Sequence, residues 1–171
     1  MYRAGRLVSL IAAISFWNAI GTTIHAEEDD TAPLAAALKA AKATLQDGLR
    51  ASKAQGTPIS AKFEIEDGKL QLSIYTMKGN DFMEIVADAK TGAIANAEEI
   101  TDAMDLNQAM EQKAAMAKAN VPLLRAAEAA VNANPGSRAV SIVPELMNGQ
   151  ATAEVTLLAE NTFKKVTEKL N

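Results

Sequence analysis

The sequence has no cysteine, and its 171 residues hold a single histidine, a single tryptophan and two tyrosines. Without cysteine there is no disulfide, no thiolate nucleophile and no cysteine-held zinc or iron–sulfur site. His25, Trp17 and Tyr2 all fall in the first 26 residues, which have the layout of a secretory signal. Arg3 and Arg6 form its positive end, Leu7 to Trp17 its apolar stretch, and Thr22 to Ala26 an uncharged, mostly small end before the acidic run Glu27 to Asp30. Cleavage is expected after Ala26, giving a periplasmic or secreted protein that also lacks imidazole. Catalytic triads, dyads and histidine-ligated metals then fall away, so no enzyme, no cofactor and no metal centre is expected. Positive charge is scarce as well, with 17 Lys+Arg against 21 Asp+Glu and a formal net charge of −4. A chain of that sign, with one tyrosine left to stack on bases, is not built to bind nucleic acid. Beyond Ala26 no apolar run approaches the roughly 20 residues of a spanning helix, so no membrane span is expected in the mature chain.

What is present first shows itself as self-similarity. Pro33 to Ala41 matches Pro122 to Ala130 at an offset of 89, both as helix starts with proline in the first turn. Ile65-Glu66-Asp67-Gly68 matches Leu146-Met147-Asn148-Gly149, and Phe82 matches Phe163, at an offset of 81. Leu34, Leu38, Ala41, Leu45 and Leu49 draw one apolar stripe down a helix expected to run to Gly56 and Pro58. Ile59, Ala61, Phe63 and Ile65 then alternate with polar residues, Asp67-Gly68 supplies a two-residue hairpin turn, and Leu70, Leu72 and Ile74 return. Gly79-Asn80-Asp81 turns the chain into a third strand from Phe82 to Ala89. The expected fold is α+β: two α-β-β-β units, each a helix packed on an antiparallel three-stranded sheet. The expected domains are the signal at 1–26, a disordered acidic stretch at 27–32, a first unit at 33–99, an Ala/Met-rich connecting helix at 100–120 and a truncated second unit at 121–171. Pro144 interrupts a strand of the second unit, which places it at an edge or a bulge.

The succession Asp67-Gly68, Tyr75, Phe82, Glu84 and Asp88-Ala89-Lys90-Thr91-Gly92-Ala93-Ile94 resembles the PepSY domain. That family closes its antiparallel sheet on an Asp-Ala-x-Thr-Gly turn, and the resemblance covers Pro33 to Ile94. It implies a module without catalytic residues, found in propeptides that hold metallopeptidases inactive and as free-standing exported or membrane-linked proteins. No peptidase motif is present here, so inhibition would have to act in trans.

Asp67, Gly68, Asp88, Thr91 and Gly92 are expected to have structural roles, with the Asp88 side chain capping Lys90 or Thr91 and Gly92 at positive φ. Glu64, Glu66 and Glu84 fall on polar strand positions and, with Tyr75, mark a possible binding surface. With Asp81, the three glutamates would suit Ca²⁺ only if their oxygens converged. Met104, Met110 and Met116 step by six residues and point three ways around a helix, so they form no thioether site. The function expected is a non-enzymatic binding module of the cell envelope, engaging a protein or peptide through sheet surface or edge, with a peptidase as the sharpest candidate. The alternative is a periplasmic carrier of a small molecule or of Ca²⁺.

Overall fold

The computed structural model describes residues 28–171; the signal segment and its cleavage point lie outside the described residues. Helix α1 (Glu28–Leu38) and helix α2 (Leu45–Ala51) lead through a short 3-10 turn (Ser52–Ala54) into four strands: β1 (Thr57–Glu66), β2 (Lys69–Lys78), β3 (Asp81–Asp88) and β4 (Ile94–Glu99). Helices α3 (Ala103–Met116) and α4 (Leu123–Ala133) follow, then strands β5 (Ser137–Met147), β6 (Gln150–Ala159) and β7 (Thr162–Lys169). All seven strands belong to one antiparallel sheet in the order β4-β3-β2-β1-β5-β6-β7.

Three features differ from the sequence expectation. The helix expected from Pro33 to Gly56 is two, because Thr44 and Asp47 form a capping box that starts α2 afresh. Thr44 Oγ1 accepts from the Asp47 amide at 3.1 Å, and the Asp47 carboxylate accepts from the Thr44 amide at 3.0 Å. The amides of Lys42 and Ala43, between the helices, donate to the Ala89 carbonyl at the far end of β3. Secondly, α1 begins at Glu28, ahead of the helix start expected at Pro33. Thirdly, the two expected three-stranded sheets are a single sheet, and the first half carries a fourth strand, β4. β1 and β5 each have a hairpin partner on one side and an unpaired edge on the other; joining them covers both edges.

That junction is short, with Ala61 opposite Ile142 and Lys62 opposite Ser141. Pro144 therefore sits where the β1 side of β5 has already lost its neighbour, the place where a residue without an N–H costs least. One face of the sheet carries α1, α2 and α4 over a core that includes Leu38, Leu45, Leu49, Leu72, Ile74, Ile85, Ile142 and Val155. Gly48 lets α2 settle directly on β2, since a Cβ there would stand 2.5 Å from a Leu72 methyl. The other face carries α3, whose Ala109 packs with Ile59, Tyr75, Phe82 and Ile100.

One side chain ties the second half to the first. Arg138 on β5 donates to the carbonyls of Leu38 at 2.8 Å, Ala41 at 3.2 Å and Ala43 at 2.8 Å. Its guanidinium lies 5.2 Å from the centre of the Phe63 ring. The carbonyls left open where α1 ends thus find their donor on a strand about a hundred residues away.

Candidate functional site

On the α3 side of the sheet Tyr75 and Phe82 are packed against the helix, while Glu66 and Glu98 stay exposed and Glu64 and Glu84 half-buried. Side chains alternate along each strand, so this face receives Lys62, Glu64 and Glu66 from β1, Gln71, Ser73 and Tyr75 from β2, Glu84 from β3 and Glu98 from β4. Tyr75 stands opposite Glu84, and Glu84 in turn opposite Glu98. Glu64, Glu66, Tyr75 and Glu84 therefore share one surface. Asp81 does not join them, since it faces Lys78 at the β2–β3 turn.

The electrostatics of this face follow from its crowding. Tyr75 is 6% exposed, and burial together with Glu84, Asp105, Glu64 and Glu66 holds its phenol far above the ordinary range. It stays protonated, and among the described residues its hydroxyl has no hydrogen-bond partner. Glu84 is raised first by burial and then by Glu64 and Glu66, against the lowering effects of a Ser73 hydrogen bond and of Lys62. Asp105, on the first turn of α3, is raised by burial and by Asp102 beside it. Lys62 answers part of this charge through a 2.7 Å ion pair with Glu64, and Gln71 donates to the Glu66 carboxylate. No group of three or more His, Cys, Asp or Glu among the described residues is arranged to hold a metal ion.

The turn residues lie apart from this face. Asp67 and Gly68 close the β1–β2 hairpin with φ of 50° and 72°, as a tight primed turn requires. Asp88 Oδ1 accepts from the amides of Lys90 at 3.1 Å and Thr91 at 2.8 Å and from the Thr91 hydroxyl at 2.8 Å. Those bonds, Thr91's foremost, hold its carboxyl below the usual aspartate range. Gly92, at φ 73°, returns its amide to the Asp88 carbonyl at 2.8 Å. This knot aims the chain back along β3 as β4, whose six residues are all exposed and whose outer edge has no partner strand among the described residues. The opposite edge, β7, carries Lys164, Lys165 and Lys169.

Sequence reasoning missed the fourth strand, whose Ile94-Ala95-Asn96-Ala97 has little β-propensity to announce it. It also missed Asp105, which joins the acidic face from a helix that had looked like a plain connector. Only the Asp102 cap, which accepts from the Met104 and Asp105 amides, was there to mark that helix start.

No curated protein matches the chain at a significant level. The solved structure of a lipoprotein candidate from Clostridium difficile 630 superposes with a TM-score of 0.39 and 15% identity, over 75% of this chain and 95% of that one. Among the described residues no helix is long and apolar enough to cross a membrane. The family described as PepSY, peptidase propeptide and YPEB domain, matches residues 31–98, which take in α1 from Thr31, α2 and β1 to β3 entire, and β4 as far as Glu98. That segment of the chain is a PepSY domain.

Proposed function

We propose that this protein is a non-catalytic binding module of the cell envelope that engages a positively charged, extended segment of a protein partner. The partner's backbone would add to the edge of β4, and its basic side chains would reach Glu98 and, one strand further in, Glu84, at the near border of the face that also bears Glu64, Glu66 and Tyr75. The observation that carries this reading is the adjacency of the two features: Glu98, on the open edge strand, stands directly opposite Glu84 on the acidic face. A strand added there gains main-chain hydrogen bonds, while its alternate side chains fall beside the carboxylates of Glu98 and Glu84. Regulation of a peptidase in trans is the sharpest form of the proposal, in keeping with the propeptide character of the family.

The same reading takes the two halves of the chain as copies of one unit. An offset of 81 relates the bulges at Pro58/Ser60 and Ala139/Ser141, and the left-handed turn residues Asp67 and Asn148. It also relates the buried helix positions Leu45 and Leu49 to Ala126 and Ala130. On that offset α4 corresponds to α2, and the likeness of Pro33–Ala41 to Pro122–Ala130 is one Ala-rich helix resembling another. The second copy keeps three strands and edges the sheet with lysines, which discourage strand addition at β7 and leave β4 as the receptive edge.

The test is capture from envelope extract on the immobilised protein, compared with the charge-reversed variant Glu66→Lys/Glu98→Lys, both positions being exposed. One stoichiometric protein is expected on the wild type and not on the variant. If that protein is a peptidase, its cleavage of a model substrate should slow when the module is added. Equal recovery on both surfaces would overturn the assignment of the face, and recovery on neither would overturn the protein-partner reading.

A further inference from the structure

At the end of the sheet where β2 turns into β3, the surface opens into a cleft of about 870 Å³. Both halves of the chain build it. The first contributes Leu49 from α2, the stretch 53–58 and the β2–β3 turn; the second contributes the last turn of α3 and the entry to α4. Its size falls within the range of small-molecule sites, and much of its lining is apolar: Leu49, Pro58, Met77, Met116, Pro122 and Leu124. Two of these are methionines, whose unbranched, polarisable side chains adapt to an alkyl chain.

The charge at this cleft is of one sign. Lys53, Lys78 and Lys113 line it and no Asp or Glu does, although the chain as a whole holds 21 acidic residues against 17 basic. Lys53 and Lys78 are exposed and enter no ion pair among the described residues. Lys113 is held in place: its ammonium donates to the Gly79 carbonyl and to Asn80 Oδ1, each at 2.9 Å, and lies 5.7 Å from the centre of the Phe82 ring. An ammonium has three donors, so one remains for a ligand. The start of α4 adds to the same sign, because Pro122 stands at its N-cap and offers no side-chain bond to the first amides.

We propose that this cleft binds a single-chain anionic amphiphile, with its carboxylate head on Lys113 between Lys53 and Lys78 and its alkyl tail along Leu49, Met77, Met116 and Leu124. The site is independent of the acidic face, and its ligand class is opposite in sign. It exists only because the two halves meet, which gives a seam between repeated units a use that neither unit has alone.

The test titrates the full protein with dodecanoate below its micellar range, followed by calorimetry and thermal melting. Dodecyltrimethylammonium serves as the equal-length control of opposite charge, and acetate as the head-only control. Dodecanoate is expected to bind at a single site and raise the melting temperature, while the two controls do neither. Lys53→Glu/Lys78→Glu, at exposed positions, should weaken dodecanoate about tenfold, or about 1.4 kcal/mol, with an unchanged circular dichroism spectrum. Lys113→Met should weaken it as well, with folding checked by the ligand-free melt. The proposal is overturned by equal responses to the anionic and cationic amphiphiles, by wild-type affinity in the double variant, or by no heat from dodecanoate up to about 1 mM.

Discussion

Replacing Arg138 by methionine keeps the apolar stem that packs on the core and removes the donors that close the open end of α1. Three hydrogen bonds from a charged donor, at the low end of about 1.5 kcal/mol each, together with about 1 kcal/mol for the guanidinium over Phe63, give roughly 5.5 kcal/mol gross. Against this stands the cost of holding the cation half out of water, which lowers its pKa, and of leaving its Nε buried without a partner. The net loss expected for Arg138→Met is about 3 kcal/mol. Arg138→Lys keeps the charge but loses the planar fork that reaches three carbonyls at once, so it should recover less than half of that. Urea denaturation followed by far-ultraviolet circular dichroism measures both, as a lower midpoint at unchanged slope. A methionine variant within about 0.5 kcal/mol of wild type would refute the reasoning, since a surface arginine behaves that way. A transition that splits in two would show that Arg138 is what makes the halves unfold together across a junction with only two residue pairs.

Glu84 has its carboxyl raised by burial, so over the window from the ordinary glutamate range up to its raised value the folded state binds more protons than the unfolded state. Stability from this group therefore falls as pH rises through the window; Glu84→Gln should melt higher than wild type at neutral pH and lose that advantage below the window, and an advantage that ignores pH would refute the burial argument. Thr44→Ala should cost about 1 kcal/mol by urea denaturation through loss of the α2 cap. Asp47 is lowered chiefly by its bonds with Thr44, so its share of that stability is present above the ordinary aspartate range and lost as pH falls through its depressed value; melts of Asp47→Asn and wild type should converge at low pH.

Alternation and turn chemistry made β1, β2 and β3 legible because both are local. Ile59 to Ile65 must alternate if one side faces a core, and Asp67-Gly68 accepts the positive φ of a primed turn at little cost. The same local logic placed Glu64, Glu66 and Glu84 on polar strand positions, where strand pairing brings them, with Tyr75, onto one face. The break between α1 and α2 was legible in principle, since Thr44-Leu45-Gln46-Asp47 spells a cap. It was masked by the stripe Leu34, Leu38, Ala41, Leu45 and Leu49, which continues across the break because both helices lie on the same core. What the sequence could not show was non-local. The β1–β5 junction rests on two residue pairs, and the Arg138 contacts span 95 to 100 residues. The cleft needs Lys53, Lys78 and Lys113, which come together only once α3 has crossed the sheet.

That crossing shapes the functional argument. α3 begins beside the acidic face, where Asp105 is coupled to Lys62 and Glu64, and runs to the cationic cleft, where Lys113 is anchored on the β2–β3 turn. The two surfaces thus lie along one helix and carry opposite charge. Tyr75 is pushed away from ionisation by burial and by its carboxylate neighbours, and Lys113 is fixed by a carbonyl, an amide oxygen and a ring. A phenol that stays protonated among carboxylates serves as a fixed donor, and an ammonium with one open N–H serves as a fixed charge. Under the functions proposed here, both serve recognition. With Ala109 packed on Ile59, Tyr75 and Phe82, α3 is seated on the sheet between the two surfaces, so dodecanoate in the cleft should leave capture on the acidic face unchanged; altered capture would show that the two sites are not independent.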